Sequence, residues 1–336
     1  KFHTARTEGN YNNKIGLPIS MLLMDPDTEV GVFELGSSRP GEIDELARIL
    51  RPTCGIVTSV GPAHMEFFES VEAIAREKSA LLMNLPSTGV AVFDKGGEYF
   101  DIMKECVPCR VITVALRGDA DYTCDTVNAK NVMTVLEHSS GNKVELPVPL
   151  PGEHNIVNML FAVAIGREFG VSWPDIAEKL ASFKHLPMRW ECMHIGNITV
   201  INDAYNANPL SMRAALRTFA KMGDHLKWLV VGGMLELGAC ERQAHIELGK
   251  FIADIMVGGG GWKGMIAVGA LGRLIADGAE SGGLSNNSIA WCPDNASATN
   301  ALYERASSGD TVLLKASRGI HLEEIVEGLL ERYVVI

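Results

Sequence analysis

The densest cluster of polar side chains in the sequence lies just ahead of a predicted helix. Asp203, Tyr205 and Asn206 precede Asn208, which suits a helix N-cap, and Pro209, which suits the first helical position. Capping accounts for Asn208 and Pro209 and leaves the other three unexplained. A carboxylate, a phenol and an amide beside a helix N-terminus suit a ligand that carries hydroxyls and anionic groups.

Further reactive groups follow the apolar runs that predict strands. Glu34 ends one run, His64 follows the next, Asp203 ends a third and Lys315 ends a fourth. In open parallel sheets ligands collect beyond the carboxyl ends of the strands, so these positions are candidates for a site. For any single one of them a solvated turn residue or a helix cap is the better interpretation, and only their recurrence favours function.

Other polar positions carry weaker signals. Asn155 and Asn158 lie on one face of a helix that follows a Pro-Gly pair, which fits either a ligand contact or capping. Lys78 lies in an amphipathic helix, where a solvated lysine is the ordinary state. Cys106 and Cys109 form a lone CxxC, and because zinc needs a second pair at suitable spacing, no structural zinc is expected. The sequence contains no Walker A motif and no GxGxxG that opens a helix after a strand.

Two series of alternating strands and helices position these groups, and they predict an α/β fold with parallel sheets. The first series runs through strands and helices at 30–35, 41–50, 55–60, 71–85, 89–93, 110–114, a hairpin at 131–148, and helices at 154–169 and 172–183. The second runs through 198–202, 209–220, 227–231, 241–256, 265–268, 294–306, 311–315 and 321–331. The second is a doubly wound unit, and the boundary between two domains is predicted near residue 190.

Composition limits the function classes. The 336 residues carry 30 Lys and Arg against 41 Asp and Glu, a formal charge of -11, and 47% are hydrophobic. This balance supports large buried cores and argues against a nucleic-acid binder, which needs clustered basic residues. Seven scattered cysteines, no long apolar stretch and no apolar signal sequence predict a cytoplasmic protein. The chain begins with Lys and reaches a dense polar motif almost at once, which reads as a piece of something longer.

The motifs, taken in order, resemble those of the Mur ligase family over nearly the whole chain. The matching segments are Thr7–Pro18 (TEGNYNNKIGLP), Glu34–Gly36 with Gly41–Ile43, Ala63–Glu66 (AHME), Pro151–Asn155 (PGEHN), Asp203–Met212 (DAYNANPLSM) and Lys315–Arg318 (KASR). The TxGNxNNxIGxP and DxYNANPxSM patterns are specific to the branch that joins D-alanyl-D-alanine to a UDP-N-acetylmuramoyl-tripeptide.

The resemblance implies a fold and a reaction. It implies a central ATP-binding domain at 1–189, a parallel sheet with flanking helices and a small antiparallel part, and a Rossmann-like domain at 190–336 that binds the incoming amino substrate. The family's GKT phosphate loop precedes the TxGN motif, so we expect the central domain to be truncated and these residues alone to be inactive. The implied reaction uses ATP and Mg²⁺, proceeds through an acyl phosphate, and serves peptidoglycan synthesis and hence cell-wall formation, cell shape and division. A monomer is expected.

The resemblance also assigns roles to individual positions. It implies catalytic roles for Glu34, His64, Lys78 and Arg189, with Glu34, His64 and a carbamylated Lys78 holding the metal. It implies ATP contacts at Asn155, Asn158, Arg189 and Asp203. The substrate-binding positions that it implies are Asn10, Asn12, Asn13, Tyr205, Asn206, Asn208, Lys315, Ser317 and Arg318.

Three positions depart from the family pattern. Met188 and Ala316 stand where the family usually has glycine, and Gly233 stands where it has the aspartate of GDMxELG. The change removes a carboxylate from the segment that leads to Glu236. Alternatives are a sister Mur ligase, folylpolyglutamate synthase, an amidotransferase partner whose zinc ribbon would need more cysteines, or a non-catalytic module that binds nucleotide or a partner.

Overall fold

The structure, a computed structural model, describes residues 1–223 and 226–334, and it divides into two compact units, Lys1–Phe183 and Lys184–Ile336. The sequence placed this division a few residues later. The alternation of strands and helices that the sequence predicts is confirmed in both units. Among residues 1–223 and 226–334, none of the helices combines the length and the apolar character that a membrane span requires.

Unit 1 contains two sheets. Strands β1 and β2 pair in parallel, and β3 to β8 form a second sheet in sequential order, parallel from β3 to β6 and antiparallel from β6 to β8. In chain order the elements are β1 (Thr4–Arg6), α1 (Gly16–Leu22), β2 (Val30–Val32), α2 (Glu42–Leu50), β3 (Cys54–Val57), α3 (Val71–Met83), β4 (Val90–Asp94), α4 (Phe100–Glu105), β5 (Arg110–Ala115), β6 (Tyr122–Val127), β7 (Val132–Glu137), β8 (Asn142–Pro147), α5 (Glu153–Glu168) and α6 (Trp173–Ala181).

Unit 2 is built on one sheet in the order β13-β12-β11-β14-β10-β9, parallel except for β9. Its elements are β9 (Glu191–Ile195), β10 (Ile198–Asn202), α7 (Pro209–Lys221), β11 (Lys227–Val231), α8 (Glu241–Val257), β12 (Trp262–Val268), α9 (Gly269–Ser281), β13 (Ile289–Cys292), α10 (Asn295–Arg305), β14 (Thr311–Lys315) and α11 (Glu323–Val334). Because β14 lies between β10 and β11, the loops that follow these three strands open at one edge of the sheet.

Each unit has its own core. In unit 1 the helix α5 packs against β4, β5 and β6 through buried residues such as Leu160 and Val163. In unit 2 the inner strands bury Val230, Val312 and Leu314 beneath α10 and α11. The inner parallel strands of both units are nearly continuous runs of apolar residues, as expected for parallel strands covered by helices.

One predicted strand ends earlier than expected, and one helix was missed. The first strand ends at Val32 instead of extending to residue 35, so Glu34 lies in the loop beyond it. This strand pairs with β1, a segment too short to give a periodic signal, and among the described strands it has no other partner. Helix α9 was not predicted, because its three glycines obscure the helical pattern.

Candidate functional site

In unit 1 the loop before α1 is tied to the segment around Glu34. The Asn12 side-chain amide donates to Glu34 Oε1 at 2.9 Å, and the Glu34 N–H donates to Thr7 Oγ1 at 2.8 Å. The Gly36 N–H donates to the Asn12 carbonyl at 2.8 Å, and Asn12 crowds Gly36 so closely that a Cβ there would lie 2.8 Å from its amide nitrogen. These contacts hold the exposed Glu34 carboxylate in one position.

The neighbouring asparagines have local structural roles. Asn13 Oδ1 accepts from the N–H groups of Ile15 and Gly16, so it caps the start of α1. Asn10 is exposed, and its carbonyl accepts from the Asn12 N–H at 2.8 Å. Their binding of substrate stays a prediction.

Lys78 does not extend into solvent as its place on an amphipathic helix suggested. Its ammonium donates to the Ser59 carbonyl at 2.9 Å, in the loop that follows β3. Burial lowers the pKa of Lys78, and the charge of Glu34 opposes that shift, so the two side chains lie within electrostatic reach of each other. The same loop continues to His64, a half-buried residue in the left-handed region with φ of 52°.

The chemistry of these donors can be tested against a magnesium ion. A carboxylate such as Glu34 suits a hard cation and an imidazole such as His64 can complete its shell, whereas a protonated lysine repels it. Lys78 fits only if its lowered pKa allows carbamylation to an anionic group. Another set, His3, Asp25 and Asp27, has ligand atoms within 4.8 Å of one another, but all three residues are exposed.

The predicted adenine contacts lie on the first turns of α5. The Asn155 side-chain amide donates to the Pro151 carbonyl at 2.8 Å, which ties the helix start to the preceding loop. Asn158 is exposed on the same helix. This bond is not an N-cap, because the side chain donates to a carbonyl, and the N-cap residue of α5 is Gly152. Adenine binding by Asn155 and Asn158 stays a prediction.

In unit 2, Lys315 joins the ends of β14 and β10. Its side chain is 5% exposed, and its ammonium donates to Asp203 Oδ2 at 2.7 Å, to the Asp203 carbonyl at 3.2 Å and to the Asn206 carbonyl at 3.1 Å. The Trp190 N–H donates to Asp203 Oδ1 at 3.1 Å. Three acceptors satisfy the three N–H donors of the ammonium, so its contacts favour support of the Asp203 loop, and substrate binding by Lys315 stays a prediction.

Ser317 joins three loops at the same edge. Its hydroxyl donates to the Ala207 carbonyl at 3.2 Å and accepts from the Leu235 N–H at 3.0 Å. Its own N–H donates to the Gly233 carbonyl at 3.0 Å. The loops after β10, β11 and β14, far apart in sequence, are thereby fixed to one another.

Asn208 performs the capping that the sequence suggested. Its side chain accepts from the Ser211 N–H at 2.8 Å, and the Ser211 hydroxyl accepts from the Asn208 N–H at 3.0 Å. Helix α7 therefore begins at Pro209 for local reasons, and a substrate contact of Asn208 stays a prediction.

Two arginines line this edge of unit 2. The guanidinium of Arg189 lies 4.1 Å from the ring centroid of Tyr205, a cation–π contact that restrains both side chains. Arg318, 51% exposed at the side chain, donates to Glu323 Oε1. His321 Nδ1 lies 3.3 Å from the same oxygen. Sequence reasoning missed Glu323 and His321, although a carboxylate in the first turn of α11 is a visible signal.

Gly233 is enclosed where the family has an aspartate. A Cβ at this position would lie 2.8 Å from Leu271 Cδ1 and 2.9 Å from Leu271 Cβ. Leu271, on α9, therefore occupies the space into which an aspartate side chain would extend.

Fold and site together define an α/β protein of two parallel-sheet units with polar residues gathered at strand ends. Residues 1–166 match the Mur ligase middle domain, and residues 188–318 match the glutamate ligase domain of Mur ligases. The UDP-N-acetylmuramoyl-tripeptide–D-alanyl-D-alanine ligase of Bacillus subtilis is 35% identical over 335 residues, which cover 98% of this chain and 71% of that protein. The Escherichia coli ligase of the same name is 29% identical over 98% of this chain and 71% of its own length.

Solved structures agree with the sequence comparison. A crystal structure of MurF from Acinetobacter baumannii superposes with a TM-score of 0.87 at 26% identity, covering 98% of this chain and 71% of that one. MurF ligase from Thermotoga maritima in complex with ADP gives 0.83 at 25% identity, covering 100% and 75%. The chain belongs to the Mur ligase family.

Proposed function

We propose that this chain is the catalytic part of an ATP-dependent ligase that joins D-alanyl-D-alanine to UDP-N-acetylmuramoyl-tripeptide in peptidoglycan precursor synthesis. The observation that carries the proposal is similarity over 98% of the chain to ligases of that name. We further propose a cytoplasmic monomer that serves cell-wall formation, and through it cell shape and division.

In the proposed reaction the terminal carboxylate of the tripeptide attacks the γ-phosphorus of ATP, and ADP leaves. The amine of D-alanyl-D-alanine then attacks the acyl carbon, the C–O bond to phosphate breaks, and an amide forms. Negative charge builds at each step beside phosphates already present, so catalysis depends on positioned cations.

Unit 1 is proposed to supply the metal-facing groups. Glu34 is held by Asn12, and Lys78 lies within its electrostatic reach, so the two can act as a pair once Lys78 carries a carbamate. His64 adds an imidazole. Magnesium, when bound by these residues, would neutralise phosphate charge. Asn155 and Asn158 are proposed to contact adenine.

Unit 2 is proposed to supply the cationic and polar groups for phosphate, ribose and dipeptide. Arg189, restrained by Tyr205, is proposed to contact the phosphates, and Asp203, held by Lys315, is proposed to contact the ribose. Arg318 is proposed to pair with the dipeptide carboxylate, because a guanidinium already held at one nitrogen by Glu323 can present other N–H donors in a fixed plane.

The test is an assay on a full-length protein that contains this chain. Phosphate release and product mass are measured with UDP-N-acetylmuramoyl-tripeptide, ATP and Mg²⁺, and with D-alanyl-D-alanine, single L-amino acids or a folate and glutamate as alternatives. Release that depends on D-alanyl-D-alanine is expected. Turnover with an L-amino acid or a folate instead would assign the chain to a sister enzyme and overturn the proposal.

A further inference from the structure

His245 is a completely buried histidine in α8 that no motif of the sequence identified. Its side chain is 0% exposed, and the Met234 N–H donates to its Nε2 at 2.8 Å. Its Nδ1 lies 2.6 Å from the Glu241 carbonyl. Because Nε2 accepts a hydrogen bond, the proton of the neutral ring belongs on Nδ1, from which it is donated to Glu241. Both ring nitrogens are thus engaged, and the ring orientation is fixed.

The loop that His245 holds, Gly232–Leu237, follows β11 at the site edge of the sheet. Two further N–H groups of this loop donate to the end of β14 and to the residues just after it. The Gly232 N–H donates to the Lys315 carbonyl at 3.1 Å, and the Leu235 N–H donates to Ser317 Oγ at 3.0 Å. Among the described hydrogen bonds of the loop, the bond from Met234 to the His245 side chain is the one that connects the loop to α8. Met234 itself is 0% exposed, so losing this partner would leave a buried N–H unsatisfied.

The loop in turn contacts the turn that carries Arg318. A Cβ on Gly319 would lie 2.9 Å from Leu235 Cδ1, so Leu235 rests directly against the residue that follows Arg318. Leu235 is 37% exposed, and Glu236 beside it adopts the left-handed region with φ of 64°. A continuous series of contacts therefore leads from His245 through Met234 and Leu235 to the Arg318 turn.

We propose that His245 is a positioning residue for the incoming dipeptide: by holding Met234 it sets Leu235 against Gly319 and so fixes the turn that presents Arg318. The inference rests on the dipeptide site of the proposed function. His245 is buried and does not touch substrate, so its effect is on affinity for the dipeptide carboxylate.

Two substitutions separate the acceptor at Nε2 from the donor at Nδ1. In His245→Gln the side-chain amide reaches the place of Nε2 and can accept from Met234. In His245→Asn the shorter amide reaches only the place of Nδ1, so the Met234 N–H loses its partner. Both variants replace the imidazole ring by a smaller, uncharged amide. The matched control is His194→Asn, because His194 is an exposed histidine on β9 that contacts Thr199 on β10.

Two measurements use the 336-residue chain. Hydrogen exchange reports the Leu235 and Ser317 amides, and titration calorimetry reports the dissociation constant for D-alanyl-D-alanine. We expect His245→Asn to speed exchange and to weaken dipeptide binding about tenfold, the loss of one buried hydrogen bond, while His245→Gln keeps most of the affinity and His194→Asn keeps all of it. Thermal unfolding of all variants shows whether each is folded at the assay temperature.

The outcomes distinguish the two proposals. Suppose that the wild-type chain binds the dipeptide. If His245→Gln and His245→Asn then have equal dissociation constants, or if both lose affinity equally and their melting temperatures fall together, the positioning role is overturned and the proposed function stands. If the wild-type chain does not bind D-alanyl-D-alanine, the dipeptide site falls and this inference falls with it.

Discussion

Arg318 is the side chain whose contacts bear most directly on substrate choice. One nitrogen of its guanidinium is bound by Glu323, and half of the side chain is exposed at the edge of unit 2. A lysine offers a single ammonium, which cannot serve both Glu323 and a substrate carboxylate in the same fixed geometry. The fork-shaped guanidinium is therefore the feature that a substitution should test.

In the full-length enzyme Arg318→Lys should raise the KM for D-alanyl-D-alanine about tenfold or more, the value of a charge-assisted hydrogen bond, with a much smaller change in the KM for ATP. Steady-state phosphate release measures both constants. Arg332→Lys, on the helix α11 that follows the Arg318 turn, is the control. Equal changes in the KM for D-alanyl-D-alanine and the KM for ATP would mean that Arg318 supports the fold and does not bind the dipeptide.

Lys78 should carry a carbamate in the active enzyme. Burial lowers its pKa, which raises the fraction of neutral amine that can react with CO₂, and a nearby cation would stabilise the anionic product. With ¹³C-labelled bicarbonate and Mg²⁺, NMR should show a carbamate signal that Lys78→Ala abolishes and Lys104→Ala, on α4, retains.

In the full-length enzyme the Lys78→Ala variant should lose turnover but remain folded, and small carboxylic acids should restore part of the turnover. Near-normal turnover of that variant would contradict the assignment.

His245 should make stability depend on pH. Burial lowers its pKa in the folded protein below the ordinary histidine value, so between these two values the folded state binds fewer protons than the unfolded state. The free energy of unfolding should therefore fall as the pH drops below about 6.5, by at most about 1.4 kcal/mol per pH unit. Melting temperatures from pH 7 to 5 should decline less steeply in His245→Gln than in the wild type. Parallel curves would show that the buried ring does not titrate in this range.

At the scale of elements, the packing of α9 against the loop after β11 explains why residue 233 is glycine. Leu271 lies where an aspartate side chain would extend, and the Gly233 carbonyl accepts from the Ser317 N–H, so neither side can move without disturbing the other. The missing family carboxylate and the presence of leucine at 271 are two parts of one local arrangement.

Restoring the family aspartate should consequently destabilise this chain. Gly233→Asp is expected to cost about 1–3 kcal/mol through overpacking, and Leu271→Ala in the same chain should recover part of that loss. Urea unfolding of both single variants and the double variant measures the coupling. Gly223→Asp, where a Cβ would meet nothing within 4 Å, is the control. If the change in the free energy of unfolding of the double variant equals the sum of the changes in the two single variants, Leu271 does not restrict the size of the side chain at position 233.

At the scale of the whole molecule, unit 2 contains every contact described around Arg318. Its sheet, its core and the bonds of Lys315, Ser317 and His245 all lie within residues 184–336. The unit therefore has what an independently folding domain requires.

Residues 184–336 expressed alone should unfold cooperatively in urea, as reported by tryptophan fluorescence, to which the buried Trp190 and Trp228 contribute. The isolated unit should bind D-alanyl-D-alanine with the dissociation constant of the whole chain. A gradual, non-cooperative transition would show that unit 2 needs unit 1 to fold, and weaker binding by a folded unit would show that unit 1 contributes to the dipeptide site.

The α/β class, most strands and helices, and the start of α7 could be predicted from the sequence, because each depends on residues close together along the chain. Its motifs also indicated the family. Which of these groups come into contact depends on the order of the strands in the sheet and on how the helices pack against it. Lys315 reaches Asp203 because β14 lies between β10 and β11, a strand order that no local pattern encodes. Likewise, His245 reads as an ordinary residue of an amphipathic helix, and only the packing of α8 behind the loop after β11 buries it and gives both of its nitrogens a partner.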